Sequence, residues 1–135
     1  GLPEINSRNP LFAAIKLSAQ HQRLFTGATG EIHSAVAPQG EDLVVTKHRI
    51  SAFCGTDLDL ILRANDIDTL ILLGIATSGV VLSTALQAFD ADYRLVIVND
   101  CCADLDEALH TCLLEKLFPG RAAVLSSSEF VEAMT

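Results

Sequence analysis

The stretch from Leu70 to Ala88, LILLGIATSGVVLSTALQA, constrains the fold of this chain more than any other part of it. Leu70–Leu73 has the continuous apolar character of a buried strand, Gly74–Gly79 predicts a tight turn of small residues, and Val80–Ala88 predicts a helix. This helix is apolar on most of its sides, so we expect it to pack on a sheet and against another helix or subunit. In open α/β sheets, ligands bind where a strand's carboxyl end turns into the next helix, and this turn is therefore the first candidate site.

Strand and helix patterns alternate along the rest of the chain. Four short apolar or β-branched runs predict strands, at Leu43–Thr46, Leu70–Leu73, Tyr93–Val98 and Ala122–Leu125. Helices are predicted at Leu11–Phe25, Asp57–Ala64 and Val80–Ala88, and after Asp104 and Ser126. Loops are expected at residues 1–10 and 26–40, the second with a short helical turn near residues 32–36. The alternation is typical of an α/β fold with a parallel sheet and helices on both faces, here one domain over residues 1–135.

Three of the predicted helices carry capping signals at their starts. Thr56 is expected to cap the helix at residues 57–64. Asp104 with Glu107, and Ser126 with Glu129, each match the capping box, in which an N-cap oxygen and a glutamate three residues later satisfy free backbone N–H groups. The helix behind Asp104 is expected to bury Leu105, Leu109, Cys112, Leu113 and Leu117.

The charge balance and the cysteines narrow the classes of partner and location. Nine lysines and arginines stand against seventeen aspartates and glutamates, a net charge of −8, and this argues against nucleic acid or an anionic membrane surface as partner. No apolar run approaches the roughly 18 residues of a membrane span, and no signal-peptide pattern opens the sequence. Cys54, Cys101, Cys102 and Cys112 form no C-x-x-C pair and no Cys/His ligand spacing. We interpret them as reduced thiols and expect a cytoplasmic protein.

Three motifs together resemble the isochorismatase-like family of cysteine hydrolases and nicotinamidases. They are K-x-x-x-S-A-F-x-G-T-D-L from Lys47, G-x-x-T-x-x-x-V from Gly74, and D-x-C-A-D from Asp100. The resemblance runs from about Asn9 to Phe130. It implies a three-layer αβα fold with a six-stranded parallel sheet, and often a homo-oligomer.

The resemblance also implies a set of site residues. The family uses an Asp after its first strand, a Lys after its third and a Cys at a helix start, and the Cys thiolate attacks a carbonyl carbon. Two backbone N–H groups, one beside a non-proline cis peptide before a Thr, hold the oxyanion. Lys47 matches the lysine, Gly74 and Thr77 match the turn, and Ile75-Ala76 matches the cis peptide.

The sequence departs from the family pattern at the nucleophile and in the number of strands. Val80 stands where the family has its Cys, and valine has no nucleophilic atom. Isochorismatases within the family also lack the Cys and hydrolyse a vinyl ether by acid catalysis from an Asp. The family's first two strands, with that Asp, are absent from these residues, as are two strands expected between Lys47 and Leu70. We therefore expect the strand at residues 43–46 to close up beside Leu70–Leu73, or a neighbouring chain to pair there.

Residues near the predicted turn allow both catalytic and structural interpretations. Lys47 could polarise a bound carbonyl, line the pocket or reach solvent, and we favour pocket lining. His48 fits a surface role or an anion contact better than a general base. Ser78 could serve as a nucleophile, but it lies two residues before the expected position and the sequence places no base for it, which favours a turn residue and helix N-cap. Thr77 is expected to hydrogen-bond the turn backbone.

Residues away from the turn also allow both a functional and a structural interpretation. Cys54 and Cys102 could be reactive if they lie near a helix N-terminus, although packing thiols are more usual. Asp106 and His110 are spaced to share a helix face with Asp104 and could bind a metal ion, but capping and surface roles also explain them. We therefore predict no metal site and no cofactor.

The sequence is compatible with two functions. The first is hydrolysis of a small amide, ester or vinyl ether. The second is a non-catalytic homologue that acts as an oligomeric binding or scaffold protein, which Val80 and the missing acid favour for this chain. The predicted partners are a small-molecule ligand and further copies of the chain. The predicted pocket residues are Lys47, Phe53, Ala76, Thr77, Ser78, Gly79 and Val80.

Overall fold

A computed structural model describes residues 3–24, 26 and 30–135 of the chain. The residues group into two compact units, 1–44 and 45–135. The prediction of one domain over residues 1–135 stays a prediction. Among the described residues, no helix is long and apolar enough to cross a membrane.

The first unit is helical. Helix α1 spans Pro10–Leu17, helix α2 spans Ala19–Leu24, and a 3-10 turn spans Ser34–Val36. The side chain of Asn9 accepts a hydrogen bond from the Phe12 N–H and caps α1. The predicted helix at residues 11–25 is broken because Ser18 adopts an extended conformation (φ −116°, ψ 112°). Its predicted last residue, Phe25, lies outside the described residues, as do residues 27–29 of the predicted loop.

The second unit contains a three-stranded parallel sheet in the order β1-β2-β3. Strand β1 spans Thr69–Ile75, β2 spans Arg94–Ala103 and β3 spans Ala123–Leu125. The neighbouring residues Ile97 and Val98 of β2 point to opposite faces, and both are buried, so both faces of the central strand are covered. This confirms the predicted α/β class with a parallel sheet and flanking helices.

The predicted buried strand at Leu43–Thr46 is wrong. These residues form no regular structure, and Leu43 and Val44 are 70% and 61% exposed. A strand needs a neighbour for its backbone N–H and C=O groups. In the described part of the chain, β1 pairs with β2 alone, so the expected closing-up beside β1 is not observed.

The helices of the second unit surround the sheet. They are α3 at Leu58–Ala64, α4 at Leu82–Asp90, α5 at Glu107–Cys112 and α6 at Ser127–Met134. A wide π-helical turn at Thr77–Val81 leads into α4, and a second one at Leu113–Leu117 follows α5. A 3-10 turn spans Phe118–Gly120. Helices α4 and α6 both pack against β2. The buried core is made of Phe53, Leu62, Val81, Ala85, Ala88, Tyr93, Leu95, Ile97, Cys102, Leu113 and Phe118.

One of the two predicted capping boxes is present. Ser126 and Glu129 cap α6 reciprocally, as predicted. Helix α5 begins two residues later than expected, because Asp106 and not Asp104 provides its N-cap by accepting from the Leu109 N–H.

Burial along α5 also differs from the prediction. Leu105 is fully exposed before the helix, and Leu109 and Cys112 are exposed on it. Leu113 is buried and Leu117 is half-buried in the wide turn that follows. The buried part of the predicted apolar face therefore lies after α5 rather than on it.

The start of α3 is displaced by one residue. Asp57, rather than Thr56, occupies its N-cap position. The Thr56 hydroxyl still accepts from the Leu58 N–H and donates to the Ala52 carbonyl oxygen. Thr56 therefore ties the loop before α3 to its first turn.

Candidate active site

The candidate site is the turn between β1 and α4, at the carboxyl ends of two parallel strands. The last residues of β1, Gly74 and Ile75, lie beside Cys102 and Ala103 of β2. The Ile75-Ala76 peptide bond is cis, the conformation that the resemblance implies. The Ala76 carbonyl oxygen accepts hydrogen bonds from the N–H groups of Gly79 (3.1 Å) and Val81 (3.2 Å), and the second bond spans five residues. This makes the turn wider than an α-helical one, a form often found at functional sites.

Two side chains hold the turn, one from Asp104 just after β2 and one from His110 on α5. The Thr77 side chain is fully buried, and its Oγ1 lies 2.8 Å from Nδ1 of His110. The Ser78 N–H donates a hydrogen bond of 2.6 Å to Oδ2 of Asp104. Hydrogen bonds from Ser78, and then from the Asp106 backbone, lower the pKa of Asp104 to about 2, so this carboxylate is ionised near neutral pH.

These contacts change the interpretation of Thr77 and Ser78. The predicted bond from the Thr77 side chain to the turn backbone is replaced by the contact with His110. Complete burial also keeps the Thr77 hydroxyl away from any substrate. Ser78 is a turn residue, as favoured, but it does not occupy the N-cap, and both its side chain and its backbone N–H hydrogen-bond the Asp104 carboxylate.

Lys47 lies in the irregular stretch of chain that precedes α3. Its Nζ donates a 3.0 Å hydrogen bond to the Arg49 carbonyl oxygen. Lys47 is an exposed residue, and the desolvation that its surroundings do impose lowers its pKa from the ordinary lysine value. Close to Lys47 in sequence, Ile50 approaches the turn, since a Cβ at Gly79 would lie 4.0 Å from its Cγ2. The structure thus brings Ile50 to Gly79, and residues 47–50 are called the Lys47 segment below; the pocket-lining and catalytic roles of Lys47 itself stay predictions.

The motif that follows Lys47 anchors this segment to α4. The Ser51 hydroxyl donates to Oε1 of Gln87 (2.7 Å), and the Ala52 N–H donates to Oγ1 of Thr84 (3.0 Å). Phe53 is buried, and its ring centroid lies 5.8 Å from that of Tyr93. The S-A-F part of the motif therefore has a structural role that sequence spacing did not reveal.

The other candidate residues lie outside these contacts. Val80 is half-buried within the wide turn. Cys54, Cys101 and Cys112 are exposed, while Cys102 is buried, and desolvation raises its pKa. His48 is exposed. The described ranges contain no group of three or more His, Cys, Asp or Glu side chains that could hold a metal ion.

A three-stranded parallel sheet with flanking helices defines an α/β protein, and the turn after β1 lies where open α/β sheets bind their ligands. Comparison with known proteins gives the family. The isochorismatase domain model matches residues 9–129, and the chain belongs to the isochorismatase family.

Individual relatives agree with this assignment. The chain is 39% identical over 97 residues to the uncharacterized isochorismatase family protein YwoC of Bacillus subtilis, covering 72% of this chain and 51% of that one. It is 39% identical over 70 residues to maleamate amidohydrolase of Pseudomonas putida, covering 52% of this chain and 33% of that one. An isochorismatase family protein from Burkholderia thailandensis has a similar structure, with a TM-score of 0.69 and 38% identity, over 72% of this chain and 51% of that one. The chain thus spans about half the length of the first relatives.

Proposed function

We propose that the protein containing this chain hydrolyses a small amide, ester or vinyl ether, and that the substrate binds at the Thr77–Val81 turn beside the Lys47 segment. The observation that carries this proposal is the Thr77–Val81 turn, in which hydrogen-bonding contacts from Asp104 and His110 hold two adjacent residues at the carboxyl edge of the sheet. Similarity to maleamate amidohydrolase supports the substrate class. In such a reaction water adds across the scissile bond, and the leaving amine or alcohol takes a proton.

Val80 restricts the mechanism to routes without a covalent thioester. Its side chain has no atom that can attack a carbonyl carbon, and we therefore assign the attack to water. The Lys47 ammonium is the cation that we assign to polarise the substrate or to stabilise negative charge that develops on it. Because the pKa of Lys47 is lowered, a rate that depends on the ammonium form falls at a lower pH than it would with an ordinary lysine.

A second function is favoured by the same residue. With valine at the nucleophile position, the turn can hold a ligand without turning it over. In this case the protein is a binding or scaffold homologue with a small-molecule pocket. The two functions differ in whether a bound ligand is consumed.

The first prediction concerns Lys47 and decides between these functions. Isochorismate, maleamate and other small amides are incubated with the chain, and binding by calorimetry and product by chromatography are followed together. We expect Lys47→Ala to lower turnover by about 100-fold or more, as loss of an electrostatic stabiliser does. Lys116→Ala, which removes an exposed lysine on the turn after α5, is the matched control and should leave turnover unchanged.

The outcomes separate the proposals. Turnover that is lost in Lys47→Ala and kept in Lys116→Ala supports the hydrolase. Binding without product supports the non-catalytic homologue. Turnover that survives Lys47→Ala removes the assigned role of Lys47, and a chain that neither binds nor converts any of these compounds contradicts both functions.

We further propose that the chain self-associates through the open edge of β1. The sequence of this strand, TLILLGI, contains no charge and no proline to discourage pairing. Its alternate residues Ile71, Leu73 and Ile75 are 42%, 56% and 74% exposed. Two antiparallel copies centred on Leu73 would place Ile71 of each against Ile75 of the other, the symmetric arrangement of a two-fold dimer.

The second prediction tests this association by light scattering coupled to size-exclusion chromatography. We expect the unmodified chain to elute as a dimer or larger and Leu73→Lys to elute as a monomer, because a charge would be buried between the edges. Leu60→Lys is the control, since Leu60 of α3 is 71% exposed but lies outside the sheet. A monodisperse unmodified monomer, or equal effects of the two lysines, would contradict the proposal.

A further inference from the structure

The segment from Asp104 to His110 makes two separate contacts with the candidate site. Asp104 follows β2 directly, and His110 lies on α5. Their partners, Ser78 and Thr77, are adjacent in the turn. One short segment therefore holds two consecutive residues of the turn, Ser78 through its backbone and side chain and Thr77 through its side chain.

The contact with Ser78 satisfies a backbone donor at the start of a helical segment. N–H groups in the first turn of a helix have no partner within the helix. The Asp104 carboxylate takes the Ser78 N–H at 2.6 Å through Oδ2, and its Oδ1 accepts from the Asp106 N–H at 3.1 Å. A hydrogen bond from a backbone N–H to an ionised carboxylate is stronger than one to a neutral acceptor. Asp104 therefore links its own loop to the turn.

The contact with Thr77 satisfies a hydroxyl that no water can reach. Thr77 is fully buried, so its hydroxyl needs a partner within the protein. His110 Nδ1 lies at hydrogen-bonding distance, 2.8 Å, and its residue is half-buried. A side chain held in this way fixes the turn residue that follows Ala76.

The capping of α5 does not require the contacts that Asp104 and His110 make with the turn. The N-cap of α5 is supplied by Asp106 through its bond with the Leu109 N–H. Helix α5 could therefore begin without Asp104, and His110 adds no cap. Both side chains instead make polar contacts that reach 26 and 33 residues back along the chain.

We propose that Asp104 and His110 are positioning residues that hold the Thr77–Val81 turn in the shape that binds ligand. This inference rests on the proposed function, because the two contacts matter for binding only if the turn is the ligand site. Neither residue needs to touch the ligand. Loss of either contact loosens the turn backbone and weakens binding, while the sheet and the core stay in place.

The experiment measures the stability of the turn by amide hydrogen exchange and measures ligand affinity separately. Amide hydrogen exchange and nitrogen-proton NMR spectra of the full chain report on Ser78 and on the His110 ring. We expect Asp104→Ala to move the Ser78 amide signal upfield and to speed its exchange by about tenfold, since a charge-assisted bond is lost. Asp104→Asn keeps a carbonyl oxygen as acceptor and should restore most of the protection.

His110 has its own pair of variants. His110→Ala should speed exchange of the turn amides, and His110→Asn, whose side chain places a polar atom near the position of Nδ1, should recover part of the loss. Asp106→Ala is the control, because it removes the cap of α5 and leaves both contacts with the turn intact. It should change exchange in α5 without changing Ser78.

Binding of maleamate and isochorismate to the same variants provides the second readout. We expect affinity to fall by tenfold or more in Asp104→Ala and His110→Ala, and to recover in the asparagine variants. If unmodified protein binds neither compound, the proposed function fails, and the exchange data alone decide whether the two residues hold the turn. Exchange at Ser78 that is equal in Asp104→Ala, Asp106→Ala and unmodified protein would overturn the inference, as would unchanged affinity in variants whose turn has loosened.

Discussion

Replacing Phe118 by alanine is expected to lower the free energy of unfolding by about 3–5 kcal/mol. Phe118 is 1% exposed and is one of the largest fully buried side chains. Its removal leaves a cavity in the middle of the core, which the surrounding backbone cannot close. Because a domain is stable by only about 5–15 kcal/mol, this one change removes a large part of the total.

The measurement is urea unfolding followed by circular dichroism. Phe89→Ala is the control, because Phe89 on α4 is 44% exposed and its truncation leaves no closed cavity. It should cost about 1 kcal/mol or less. Equal losses for the two variants would mean that Phe118 does not lie in the core that the structure gives it.

Gly74→Ala is expected to destabilise the protein by about 1–3 kcal/mol through backbone strain alone. Gly74 has φ +127°, a conformation that residues with a Cβ rarely adopt. A Cβ at this position would meet nothing within 4 Å, so steric contact with other residues adds nothing to the cost. The register of β1 against β2 shifts between Leu72 and Gly74, and this is where the strand changes direction before the turn.

Gly79→Ala provides the matched control for the strain at Gly74. A Cβ at Gly79 would lie 4.0 Å from Ala76 and Ile50, an ordinary contact distance, and its φ is not in the left-handed region. The same glycine-to-alanine change should therefore be close to neutral or slightly stabilising. Thermal unfolding of the two variants side by side isolates the effect of φ. A loss at Gly79 as large as that at Gly74 would contradict this explanation.

The sequence predicts those parts of the fold that depend on local patterns. The strand-turn-helix from β1 to α4, the last strand β3 and the cap at Ser126 follow from apolar runs, small-residue turns and side-chain acceptors close in sequence. The strand expected at residues 43–46 fails because a strand is defined by its neighbour, which local sequence does not specify. Strand β2 runs on to Ala103 for the same reason, since pairing with Gly74 and Ile75 extends it past the apolar run.

In the candidate site, too, the sequence predicts the features that depend on a local motif and misses the contacts between distant residues. The position of the turn and the cis link at Ile75-Ala76 agree with expectation, because a motif within a few residues carries them. The contacts of Asp104 and His110 were not foreseen, since both residues fit a local helix cap or surface role equally well. The signal was present in the D-x-C-A-D motif, whose last aspartate lies at the carboxyl end of a strand next to the site. Spacing alone could not identify its partner 26 residues earlier.

The two anchors at residues 104 and 110 have an evolutionary consequence. Residues 105–109 between them are exposed, and those other than the α5 cap Asp106 tolerate replacement more readily than the core does. Because neither anchor needs to touch the ligand, we expect exchanges at these exposed positions to alter ligand preference while the residues that face the ligand stay the same.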